Sequence, residues 1–414
     1  MDKNPPQQFT LACGATLLVE PMPDVESASM CLLVPAGSLY EAPGQNGTAA
    51  ILADLITRGA GSRSSFDVMS DLDYYGVQGS EHAGWNFLSF SAASIADNLL
   101  PALDIYADIL LSPHLPATEF AAAQIGVEQS LLALEDDPSR KVFHELRRRT
   151  FDDPWGRNPE GTIEELPAIT VDSVRALYQR GFRPAETIIG VAGNVDPQQI
   201  RQRFDELLAN WKGGDAPVIT RIPTDQSPVQ IHHDATQTHI GMAWNSVSYN
   251  HPDYYVAWAA ANILGGGSSS RLFTEVRERR GLCYSVSASL SSLKDEGRVF
   301  FYAGTTTERA QETLDVAWGE ILRLAEGVTE EELARCRAQA KSSLIMQQES
   351  TGSRASSLAR DWFHFGRIQT LDDVRRRVDA VTVDDIARYA SAFPPSPTAI
   401  VTVGASPLEL PSVS

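Results

Sequence analysis

Two rhythms of apolar and polar positions organise the chain. Residues 15–21 (ATLLVEP) and 28–37 (ASMCLLVPAG) alternate or run apolar with β-branched residues among them, which predicts strands. Residues 85–94 (WNFLSFSAAS) alternate as a half-buried antiparallel strand should, and residues 187–195 (TIIGVAGNV) read as a buried strand ending in a turn. Residues 98–111 and 118–137 carry apolar side chains at helical spacing instead. A shorter helix is predicted inside GQNGTAAILADLITRGAGSRS (44–64). Gly47 precedes the apolar run Ala50, Ile51, Leu52, Leu55, Ile56, and Arg58-Gly59 closes it. Thr329 and Glu332 have the spacing of a capping box. Runs of strands with long helices predict an α+β class, with mostly antiparallel sheets and helices packed on one face of each.

The same pattern occurs twice. Ala168-Ile169-Thr170-Val171-Asp172 matches Ala380-Val381-Thr382-Val383-Asp384, 212 positions on, and IIGVAGNVDP (188–197) matches AIVTVGASP (399–407) at nearly that offset. LPATEFAAAQ (115–124) echoes GVTEEELARCRAQ (327–339), with Thr118 against Thr329, and GAGSRSSF (59–66) echoes GGGSSSRLF (265–273). Each match is weak alone. Four in one order, at offsets between 206 and 212, indicate a duplicated domain, far longer than a solenoid repeat. Residues 213–228 (GGDAPVITRIPTDQSP) are rich in Gly and Pro and lack periodicity, as a linker does. The expected domains are two homologous tandem copies, residues 1–212 and 228–414, joined by 213–227.

Composition narrows the function. A formal net charge of −19 over 414 residues argues against nucleic acid, whose phosphates would be repelled. The four cysteines (Cys13, Cys31, Cys283, Cys336) are scattered, which suits a reducing compartment and free thiols. No apolar run is long enough to cross a membrane, and the first residues lack a basic-then-apolar leader, so a cytoplasmic location is expected. A leader removed earlier would make it periplasmic. LGGGSSSRLF (264–273) lacks the GK[ST] ending of a phosphate loop and reads as a flexible turn. ELRRRTF (145–151) and VRRRV (374–378) read as basic helix faces, solvated or salt-bridged.

Several stretches together resemble the pitrilysin and mitochondrial-processing-peptidase family of zinc peptidases. They are PAGSLYEAPGQNGTA, RSSFDVMSDLDYYG, ALEDDP, DDPWGRNPEGTIEELPAITVDSVRALYQRGFRPAETIIGVAGNVDP, NILGGGSSSRLFTEVRERRGLCYSVSASL and YAGTT. The resemblance spans essentially the whole chain and includes its duplication. In active members it implies an H-x-x-E-H motif on a helix, with two His ligands on one face, Glu as general base, and a Glu on a later helix as third ligand. Here the motif positions hold Ala50, Ala53 and Asp54, and the third ligand falls near Ser130, within a residue or two. An alanine methyl accepts no proton, and one carboxylate does not make a zinc site. Glu128, close in sequence to the lost third ligand, and His82, in the next segment, could join Asp54, but nothing in their spacing brings them together. Trp85 and Asn86 fall where active members carry polar residues on the substrate side.

The second copy keeps more. In TEVRERRGLCYSVSA (274–288), Arg277 and Tyr284 have the spacing of a pair that, in the family, faces the zinc from the other half of the molecule. Arg offers a planar charged fork to a carbonyl or carboxylate, and a Tyr hydroxyl can donate to a developing oxyanion. Without the resemblance, the two read equally as a surface charge and a strand residue. With it, the chain is similar to the inactive subunit of a heterodimeric member. That similarity implies no cofactor on this chain, zinc on a homologous partner subunit, a clamshell chamber taking short or unfolded peptides, and neither nucleic acid nor membrane as partner. A structural or assembly subunit of the same fold, or a peptide-binding protein that captures extended chains by strand addition, is the alternative.

Overall fold

The structure, a computed structural model, describes residues 5–411. Its strands are β1 (Gln7–Thr10), β2 (Thr16–Pro21), β3 (Ser27–Val34), β4 (Gln78–Ala83), β5 (Leu88–Ile95), β6 (Ile188–Gly193), β7 (Val229–His232), β8 (Gln237–Ser246), β9 (Cys283–Ser292), β10 (Gly297–Thr306) and β11 (Pro397–Gly404). The α-helices are α1 (Thr48–Leu55), α2 (Ser65–Tyr74), α3 (Ala96–Leu111), α4 (Phe120–Glu135), α5 (Pro138–Thr150), α6 (Val171–Gly181), α7 (Pro197–Leu207), α8 (Tyr254–Gly265), α9 (Ala310–Arg323), α10 (Glu330–Gln348), α11 (Thr351–Phe365), α12 (Leu371–Ala380) and α13 (Val383–Ala392).

Six strands form one sheet in the order β1-β2-β6-β3-β5-β4, and five form another in the order β7-β11-β8-β10-β9. Apart from β1, the two orders superpose. β2–β6 and β7–β11 are the parallel pairs, and every other ladder is antiparallel. The duplication read from the sequence is therefore a duplication of topology, and the α+β class holds.

The compact units are not contiguous in sequence. One comprises residues 1–133, 157–221 and 346–368; the other comprises 134–156, 222–345 and 369–414. The boundary inside the Gly/Pro-rich segment lies between Arg221 and Ile222. Each sheet carries its own helices on one face, and the other face takes a single helix from the opposite half of the chain. In the first unit, Ala355, Leu358 and Ala359 of α11 pack on Leu18, Cys31, Ile188 and Ala192. In the second, Val142 and Leu146 of α5 pack on Ala243, Phe300, Tyr302, Ala399, Val401 and Val403.

Glycine in the central strands admits these helices. A Cβ on Gly190 of β6 would lie 2.2 Å from the Ala355 carbonyl oxygen, and one on Gly241 of β8 would lie 2.5 Å from Val142 Cγ1. The first obstacle is backbone and cannot rotate away; the second is a side-chain methyl. Gly190→Ala is therefore expected to cost about 1–3 kcal/mol of stability, and Gly241→Ala less than Gly190→Ala. Urea unfolding of the two variants checks the order, and equal losses would mean that the α11 backbone gives way as easily as a valine side chain.

Candidate functional site

The short helix α1 is set by its N-terminal side. Gly47 takes φ +113°, a conformation that favours glycine, and brings the first free N–H groups of the helix onto Glu41. The Gly47 and Ala49 N–H groups donate to Glu41 Oε1 at 3.1 and 2.7 Å, and Asn46 Nδ2 donates to Oε2 at 2.8 Å. Asn46 is itself held by its N–H to Glu165 Oε2 at 2.7 Å. The sequence pattern gave no sign of Glu41, because this cap lies outside the helix it serves.

Burial pushes the Glu41 carboxyl up to about 7, outweighing the pull of its N–H donors and of Arg157. The folded state therefore holds this proton more tightly than the unfolded chain, where the ordinary value is 4.5. Stability is expected to fall as pH rises from about 4.5 to about 7, by roughly 3 kcal/mol, and to level off above. Thermal unfolding across that window should show this component in the wild type and lose it in Glu41→Gln. An unchanged pH profile in the variant would contradict it.

The posts on α1 hold no metal chemistry. Ile51, Leu52 and Leu55 are buried in the core, with Ala50 and Ala53 packed against it as bare methyls. Asp54 is exposed and pairs with Arg58 Nε at 2.6 Å, while Arg58 Nη1 reaches Glu119 at 2.9 Å. Ser130 on α4 is exposed and donates to the Gly126 carbonyl. Glu128 and His82 are both exposed. Among the described residues no three His, Cys, Asp or Glu side chains meet as a metal site. Two methyls, an ion-paired carboxylate and a serine do not fit zinc, which takes about three N, O or S ligands from the protein.

In the second unit, Arg277 and Tyr284 do come together, on two irregular pieces of backbone. Residues Phe273–Glu278 form a π-helical turn, in which the Arg279 N–H bonds the Thr274 carbonyl at 2.9 Å. Such turns widen a helix by one residue and recur at functional sites. Tyr284 lies near the start of β9, the edge of its sheet. Cys283 pairs with Thr305 and Ser285 pairs with Gly304, so Tyr284 is the extra residue of a β-bulge. A bulge re-aims a side chain, and Tyr284 is 82% exposed despite its size.

The Arg277 guanidinium carbon sits 5.0 Å from the Tyr284 ring centroid and 4.8 Å from that of Phe273. Among the described residues no carboxylate pairs with Arg277, and no protein group bonds the Tyr284 hydroxyl. The nearby acid is already engaged: Glu275 pairs with both Arg279 and Arg280. A charged fork and a hydroxyl thus stand side by side with their donors free. Just before them, Arg271 clamps the preceding segment by a two-pronged bond to Glu332, at 2.6 and 3.0 Å, which holds that carboxyl down at about 2. Thr329 and Glu332 form the expected capping box of α10.

Two family models match the chain: "Insulinase (Peptidase family M16)" over residues 16–162 and "Peptidase M16 inactive domain" over residues 168–340. An uncharacterized zinc protease of Streptomyces coelicolor is 28% identical over 396 residues, covering 93% of this chain and 86% of that protein. The crystal structure of a peptidase M16 inactive domain from Pseudomonas fluorescens matches with a TM-score of 0.89 at 21% identity, covering 98% of this chain and 99% of the other. A chain of complex III2 from Candida albicans matches with a TM-score of 0.81 at 21% identity, covering 96% of each. No H-x-x-E-H occurs anywhere in the sequence. The chain belongs to peptidase family M16, the pitrilysin family of zinc peptidases, as a peptidase-like member without that motif.

Proposed function

We propose that this chain is the non-catalytic subunit of a heterodimeric zinc peptidase. A homologous partner carries the zinc and the general base; this chain supplies Arg277 and Tyr284 to bind and polarise the carbonyl of a short or unfolded peptide. The observation that carries the reading is the pair itself: a charged fork and an exposed hydroxyl, neither with a hydrogen-bond or ion-pair partner among the described residues, on a π-turn and a bulge. The composition of α1 supports the same division, since Ala50 and Ala53 can neither bind metal nor take a proton.

The test is to express the chain with a zinc-bearing homologue. The reading expects a stable complex that cleaves peptides, and an isolated chain with neither activity nor stoichiometric zinc. Zinc in the isolated chain, or no complex, would sink it. The second reading, a structural subunit of a larger assembly, is favoured by the similarity to a chain of the Candida albicans complex. A stable complex without peptidase activity would select it.

A further inference from the structure

We infer that Phe273 is a positioning residue, whose ring holds the Arg277 guanidinium beside Tyr284 so that its N–H groups stay open to a peptide carbonyl. The inference rests on the reading of Arg277 as a carbonyl-binding group. Phe273 and Arg277 are four residues apart on one turn, the spacing that stacks side chains on a common face. The guanidinium carbon is 4.8 Å from the Phe273 centroid, slightly nearer than to Tyr284.

A competing fate for Arg277 is removed by its neighbours. Arg279 and Arg280 both engage Glu275, so the one half-buried carboxylate of the turn is satisfied without Arg277. Arg271, at the start of the segment, engages Glu332 and the Gly327 carbonyl, which anchors the backbone on which Phe273 sits. With no ion pair to fix it among the described residues, a long guanidinium side chain would sample many rotamers. A ring against its face restricts that freedom without using any N–H donor, because a cation–π contact is made through the face of the group. A carboxylate in place of Phe273 would fix Arg277 just as well but would occupy the donors the substrate needs.

The test uses the full chain with ¹⁵N-labelled arginine, the Arg277 Nε–H signal being assigned by its loss in Arg277→Lys. In the wild type the signal is shifted upfield by the rings, and titration with N-acetyl-trialanine N-methylamide moves it. Phe273→Leu is expected to return the signal towards that of a free arginine and to weaken the response to the peptide about two- to fivefold. Phe273→Tyr restores both, which a loss of fold would not allow. An Arg277 signal unmoved by Phe273→Leu overturns the inference. If the peptide leaves the wild-type signal unmoved while Phe273→Leu still displaces it, the carbonyl-binding reading fails and the placement of Arg277 by Phe273 stands.

Discussion

In the complex with a zinc-bearing homologue, Tyr284→Phe is expected to lower kcat for peptide cleavage about 10²–10³-fold, the usual cost of one oxyanion donor. KM should change little, because a donor aimed at developing charge contributes in the transition state more than in the ground state. The side chain is 82% exposed and its hydroxyl has no partner among the described residues, so its loss should leave the unfolding temperature unchanged. The ring remains to stack on Arg277. Arg277→Lys keeps the charge and loses the planar fork, so it should raise KM as well. Steady-state kinetics on both variants separate the roles. Wild-type rates from Tyr284→Phe would make the exposed pair a relic and favour the assembly reading.

Arg354→Ala is expected to be among the most destabilising single changes in the chain. Arg354 lies on α11, the helix that the C-terminal half contributes to the first unit. Its Nε contacts both Glu20 oxygens at 3.1 Å and its Nη2 reaches Oε2 at 2.5 Å, with the side chains only 8% and 17% exposed. A bond between Thr351 and Ser29 hydroxyls at 2.8 Å lies one turn away. Removing one partner leaves a mostly buried charge uncompensated, for a loss of about 3–5 kcal/mol. For a unit of this size that lowers the melting temperature by roughly 10 °C. Replacing both partners with apolar residues should recover much of the loss. A melting temperature within a degree or two of wild type would place the docking of α11 on Ala355, Leu358 and Ala359 alone.

The strands that the pattern predicts in the first sheet, β2, β3, β5 and β6, are the ones there with buried apolar faces. β4 was not predicted, because QGSEHA is an edge strand with little apolar side chain to read. The exchange of α5 and α11 was equally illegible: periodicity marks a helix and its apolar face but not which sheet receives it. The basic run ELRRRTF misled for that reason. It was expected on a solvated or salt-bridged face, and Arg148 and Arg149 do pair with Glu145, yet Arg147 is buried with its guanidinium 4.7 Å from the Phe151 centroid. At the site, the family spacing pointed to Arg277 and Tyr284, but a bulge inside CYSVSASLSS and a π-turn inside FTEVRE have no local signature. Those irregularities are what bring the two side chains together and expose them.

The most direct measurement is the rate of peptide cleavage as this chain is titrated into a fixed amount of the zinc-bearing homologue. Almost no activity is expected from either chain alone, with a rise that saturates at equal amounts. Tyr284→Phe should saturate at the same ratio with a far lower plateau. A flat titration, or activity from this chain alone, would contradict it.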